Sequence, residues 1–113
     1  MLTLEMLRTY GADVDDAMKR CLNNEAFYLR LVNQALQDPA PEQRKAAIET
    51  HDLEKAFEIA HALKGVLGNL SLTPMYTPVF EMTELLRGRT ETDYSPYLSA
   101  LLTKKEELAE LAR

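Results

Sequence analysis

The run Ala60-His61-Ala62-Leu63-Lys64-Gly65-Val66-Leu67-Gly68-Asn69-Leu70 decides how the rest of the chain is read. Around it, Leu53, Ala56, Phe57, Ala60, Leu63, Leu67 and Leu70 recur at three- and four-residue intervals. At about 100° per residue these positions fall on one stripe of a helix, and such a stripe faces a core. His61 lies off the centre of the stripe, toward solvent, with Lys64, Gly65 and Gly68 following it on the same side. A glycine inside a helix costs about 1 kcal/mol relative to alanine, so two of them beside a solvent-facing histidine need a reason. Close approach by another body is one; tight helix–helix packing is another, and Gly68, nearer the apolar stripe, can serve that in part. An uncharged imidazole attacks through a ring nitrogen, and a lysine one turn on can offset the charge of an anion bound there. Nucleophile, cation and cleared backbone suggest a histidine covalently loaded with an anionic group, phosphoryl being the best candidate, and then approached by a large partner.

Outward from this stretch the chain reads as further amphipathic helices. Asp52 is the expected cap of the central helix, which spans about 53–70. Thr73-Pro74 then reads as cap and first helical residue of a helix to about 88, with Met75, Tyr76, Val79, Phe80, Met82, Leu85 and Leu86 as its apolar side. Pro78 near its first turn predicts a small irregularity. Gly88 to Asp93 is a polar connection, and Tyr94, Tyr97, Leu98, Leu101, Leu102, Leu108 and Leu111 mark a last helix to about 112, with Lys104 to Glu107 on its solvated face.

Before the central helix, Asn24 is placed to cap a helix carrying Phe27, Tyr28, Leu31, Val32, Ala35 and Leu36. Pro39 and Pro41 interrupt it, and the pattern resumes over 42–50 ahead of His51, which reads as structural or incidental. Two shorter helices come first: about 4–9, between a Thr3 cap and a Gly11 stop, and one capped by Asp13 whose apolar face is Val14, Ala17, Met18, Cys21 and Leu22. Cys21 on that face reads as a core residue. No segment alternates with a two-residue period, so the expected fold is all-α: an antiparallel up-and-down four-helix bundle of 24–50, 53–70, 74–88 and 94–112, with the short N-terminal helices covering one end.

The 113 residues, 46% hydrophobic, suit a single domain over 1–113 with one core. The 13 Lys and Arg are scattered in a chain of net charge −5, which argues against a nucleic-acid surface. There is no apolar run of about 20 residues to span a bilayer and no signal-like start, so a cytoplasmic protein is expected. The one cysteine permits no internal disulfide. With two histidines and no His-Glu-x-x-His, no metal site is expected. Gly65-Val66-Leu67-Gly68 lacks the Lys-Ser/Thr of a phosphate-binding loop, and without an ATP signature the chain is not expected to phosphorylate itself.

His61-Ala62-Leu63-Lys64-Gly65, followed by the small Gly68, resembles the histidine-containing phosphotransfer (HPt) domain of bacterial multistep phosphorelays, and the resemblance extends from the region of Tyr10-Gly11 to the last helix. It implies a phosphohistidine carrier that is not an enzyme in the strict sense. His61 would accept a phosphoryl group from a receiver-domain aspartate and pass it to another. Lys64 would offset charge on the phosphoryl oxygens, and Gly65 would let the receiver come close. No cofactor is implied, the magnesium being the receiver's. The implied partners are response-regulator receiver domains, with a hybrid histidine kinase as a further candidate.

Two departures stand out. Ser71 occupies a place where several family members have the glycine that ends the histidine helix, so the end of this helix is expected to differ. The offset at which some members hold the imidazole with a carboxylate or amide falls on Thr83, with Glu84 beside it expected to point elsewhere; weaker support of the ring follows, which favours a relay carrier over a domain phosphorylated directly by a kinase. A competing reading from another class is a helical docking module for a receiver or other signalling partner that carries no phosphate. Met1 and the complete bundle lead us to expect a free-standing protein rather than the phosphotransfer domain of a larger kinase, and a monomer is expected because one bundle uses up the apolar stripes.

Overall fold

Short polar side chains start most of the helices. In the computed structural model, residues 2–37, 43, 49 and 52–112 are described. Six helices order them: α1 (Leu4–Tyr10), α2 (Val14–Arg20), α3 (Glu25–Gln37), α4 (Leu53–Asn69), α5 (Thr73–Arg87) and α6 (Ser95–Ala112). Thr3, Asp13, Asn24 and Asp52 each accept a bond from a backbone N–H in the first turn that follows, the service a short polar side chain gives a helix start. Gly11 closes α1 at φ +114, with its own N–H and that of Ala12 turned back to Arg8 and Leu7. Pro39, Pro41, the stretch 42–50 as a continuous helix, and His51 lie outside the described residues.

Three local expectations need correction. Leu22 does not join the apolar face of α2: the helix ends at Arg20, and Leu22 sits 89% exposed in a left-handed turn with Asn23. Thr73 is not the cap of α5; Leu72 is, without a side-chain bond, so Thr73 is the first helical residue and Pro74 the second. Pro74 still falls where its missing N–H is harmless. Phe27 and Phe80, read as apolar-face residues, stand 38% and 41% exposed at the edges of their stripes.

The helices form an all-α bundle in which α4 packs on α5 and α5 on α6, while α6 also meets α3 and α1. Its interior falls into two clusters along α4. Toward the C-terminal end, Leu63, Leu67 and Leu70 join Tyr28, Val32, Met75, Val79, Leu101 and Leu108 under α1 and α2. Toward the N-terminal end, Ala56 and Ala60 meet Met82, Leu86, Tyr94 and Leu98. Truncating a fully buried residue such as Leu101 to alanine should cost about 2–5 kcal/mol. Among the described residues no helix is long and apolar enough to cross a membrane.

The short helices are fastened to the turn between α4 and α5. Asp13 donates its N–H to the Ser71 carbonyl at 3.0 Å, and the Ser71 hydroxyl donates to Asp16 at 2.7 Å. A Cβ on Gly11 would stand 3.1 Å from Pro74 Cγ, so the bare backbone there is a packing requirement. The hydroxyls of Tyr28 and Tyr10 donate to the carbonyls of Leu70 and Lys104, joining α3 to the end of α4 and α1 to α6. The bonds to Leu70 and Ser71 hold the C-terminal end of the histidine helix.

Candidate functional site

The end of α4 is built on a residue that glycine would suit. Ser71 adopts φ +53; its N–H bonds the Gly68 carbonyl and that of Leu72 reaches Leu67, the paired bonds of a Schellman end. A left-handed serine therefore supplies the geometry for which a glycine is usual, and its hydroxyl is held by Asp16. That hydroxyl first, and Arg20 second, keep the Asp16 carboxyl below the usual aspartate range.

His61 stands one helical step beyond the buried Ala60 and is exposed. Its ring stacks on Phe57 one turn earlier, centroids 5.6 Å apart and planes inclined by 20°. Among the described residues this ring is the imidazole's partner, and neither ring nitrogen is engaged in a hydrogen bond. Thr83 gives the imidazole no support: it is fully buried, and its hydroxyl donates to the Val79 carbonyl at 2.6 Å.

Lys64, with its side chain 20% exposed, lies along the α4–α5 junction. Its ammonium is 5.4 Å from the centre of the Phe80 ring and 3.8 Å from Glu84 Oε1, while Glu84 Oε2 accepts from Arg87 Nε at 3.3 Å. Glu84 is thus shared by two cations. Pairs this exposed contribute about 0–1 kcal/mol each, so a more highly charged anion can displace the carboxylate. Arg87 and Arg89 also place their guanidinium carbons 5.1 and 5.2 Å from the Phe57 ring centre. Arg89 is brought there by another left-handed residue, its own at φ +52, and donates to the Leu86 carbonyl at 2.8 Å.

The two glycines face different surroundings. A Cβ on Gly68 would meet Tyr76 Cε2 at 3.2 Å, so this position seats the tyrosine ring, which itself stacks on Phe80. A Cβ on Gly65 would meet nothing within 4 Å. Gly65 opens instead onto a cleft of about 450 Å³ shared with Lys64, Gly68, Ser71 and Tyr76. The arrangement joins an open nucleophile, a cation one turn away and a stretch of bare helix beside it.

The model of the Hpt domain family matches residues 5–112, essentially the whole chain. The chain belongs to the Hpt domain family. No curated protein and no solved structure gives a match. Hpt domains are phosphocarriers of two-component relays that interact with receiver domains and kinases, and the all-helical bundle is the fold of the family.

Within this Hpt domain, the geometry brings further residues to the site. Phe57 was expected on the core-facing stripe; it is half-buried at the stripe's edge and touches His61. Its place one turn before the histidine was the available signal. Arg87, Arg89 and Glu84 had no such signal, because their approach to α4 depends on how α5 is turned against it. Glu84 was expected to point away from the imidazole, and it is directed to Lys64 and Arg87.

Proposed function

We propose that this Hpt domain is a phosphohistidine carrier, with His61 as the residue that accepts a phosphoryl group from one receiver-domain aspartate and yields it to another. The observation that carries the reading is the imidazole itself, exposed, with neither nitrogen hydrogen-bonded among the described residues and bare helix at Gly65 beside it. In the forward step a ring nitrogen forms the N–P bond as the O–P bond of the aspartyl phosphate breaks. The electron pair leaves with the carboxylate, and the other ring nitrogen keeps its proton. Such a displacement passes through a loose transition state, so the carrier has mainly to supply position and charge.

Lys64 would leave Glu84 for the phosphoryl oxygens, exchanging a long, partly exposed pair for a partner of higher charge. Gly65 would admit the edge of the receiver, with Gly68 contributing through the seat it provides for Tyr76. The receiver would bring the magnesium, and the carrier would act as a cytoplasmic monomer with no catalytic site of its own.

The test is incubation with a phosphorylated receiver domain, followed by intact mass and by acid and base treatment of any adduct. An acid-labile, base-stable addition of one phosphoryl group is expected, absent in His61→Gln, whose fold should be unchanged because the side chain is exposed. Binding to receivers without an adduct would replace this reading with that of a docking module.

A further inference from the structure

Hydrogen-bonding a histidine through one nitrogen is the usual way to fix its ring, and among the described residues His61 has no such bond. The torsion that turns an imidazole about its Cβ–Cγ bond is intrinsically broad, so an exposed ring with neither nitrogen engaged should sample many orientations. Attack on phosphorus requires the lone pair to point along one line. Something else must narrow the choice.

We infer that Phe57 is a positioning residue for His61, holding the imidazole by ring stacking in place of a hydrogen bond. This rests on His61 being the phosphoacceptor. The pair sits one turn apart on α4, where side chains lie over one another, and 5.6 Å with a 20° inclination is an offset stack of the favoured kind. Phe57 can act this way because it is itself held. One side of its environment is the core cluster of Ala56, Ala60 and Leu86, and Arg87 and Arg89 both lie over its ring. Stacking uses the face of the imidazole and leaves its edge untouched. One nitrogen therefore stays free to form the N–P bond while the other retains its proton, and neither must first be released from a partner. A carboxamide in the same role would occupy one of them.

A stack of this kind biases orientation by about three- to tenfold, and that is the effect expected on transfer. The experiment uses the whole chain, a phosphorylated receiver domain and rapid-quench measurement of transfer across receiver concentrations. Phe57→Leu should lower the saturating rate three- to tenfold with the half-saturating concentration unchanged, and Phe57→Tyr should restore it. Carbon-13 relaxation of the His61 ring, measured without phosphate, should show a more mobile ring in Phe57→Leu than in the wild type or Phe57→Tyr. Circular dichroism and melting temperature accompany each variant. If Phe57→Leu loses its fold, the same relaxation measurement on the wild type decides: a His61 ring as mobile as an isolated exposed histidine overturns the inference. So does a folded Phe57→Leu that transfers at the wild-type rate, or one that loses only affinity. A wild-type protein that is never loaded refutes the phosphoacceptor reading instead, and the relaxation comparison still judges the stack.

Discussion

Replacing Gly65 by alanine should make this protein more stable and a worse partner. The position is helical and exposed, and a Cβ built there meets nothing within 4 Å, so no steric penalty opposes the gain in helix propensity. That gain is about 1 kcal/mol, which for a chain of 113 residues corresponds to a rise in melting temperature of about 4 °C. Gly68→Ala is the internal control. The same propensity applies, but the new methyl would stand 3.2 Å from Tyr76 Cε2, so the ring must give by a few tenths of an ångström and the net change should be near zero. Urea denaturation at pH 7 measures both, with transfer from a phosphorylated receiver measured in parallel. Gly65→Ala should slow transfer, and Gly65→Leu should slow it further, because on the proposed reading each added carbon would stand in the open space through which the receiver approaches. A Gly65→Ala protein no more stable than the wild type would refute the energetic argument. A stabilised Gly65→Leu protein with undiminished transfer would refute close approach as the reason for the glycine.

Other substitutions probe the rest of the site and its support. At position 71, Ser71→Gly should be more stable than Ser71→Ala by about 1 kcal/mol: both lose the bond to Asp16, but only glycine is relieved of the left-handed backbone at φ +53. Equal denaturation midpoints would show that this backbone stores no strain. Tyr28→Phe should cost about 1 kcal/mol at pH 7 by leaving the Leu70 carbonyl without its donor. Burial pushes the Tyr28 hydroxyl up to about 12, so its share of stability is complete below the ordinary value of 10 and is lost as pH rises from there toward 12. Alkaline denaturation should accordingly be shallower over that interval in Tyr28→Phe than in the wild type. Glu84→Gln removes the carboxylate shared by Lys64 and Arg87, and should raise the loaded fraction at equilibrium with a receiver by about two- to fivefold. An unchanged or lower fraction would mean that neither cation reaches the phosphoryl group.

Much of this architecture is legible in the order of residues because it is decided within a few positions. The apolar stripe of α4, the Asp52 cap and the break after Leu70 are local facts of helix geometry. The same holds for the Thr3, Asp13 and Asn24 caps. The local pattern misleads where it runs one step past the end of an element. Leu22 continued the spacing of α2 after the helix had already ended, and Thr73 looked like a cap although Leu72 held that place without any side-chain bond. Ser71 shows the reverse: its identity argued against a glycine-type helix end, yet the fold imposes one and binds the serine hydroxyl to Asp16.

What the sequence by itself determined is the helical class and the line His61, Lys64, Gly65 and Gly68 along one side of α4, since a period of 3.6 residues places them there whatever surrounds the helix. Only the tertiary structure separated the two glycines, giving one to the Tyr76 ring and leaving the other bare. It also brought Glu84 to Lys64, and Arg87 and Arg89 over the ring on which His61 rests. These relations depend on the rotation of α5 about its own axis against α4. That rotation is set by burial of Met75, Val79, Met82 and Leu86 in the shared interior, a condition imposed by the whole bundle and by no neighbouring residue in the chain.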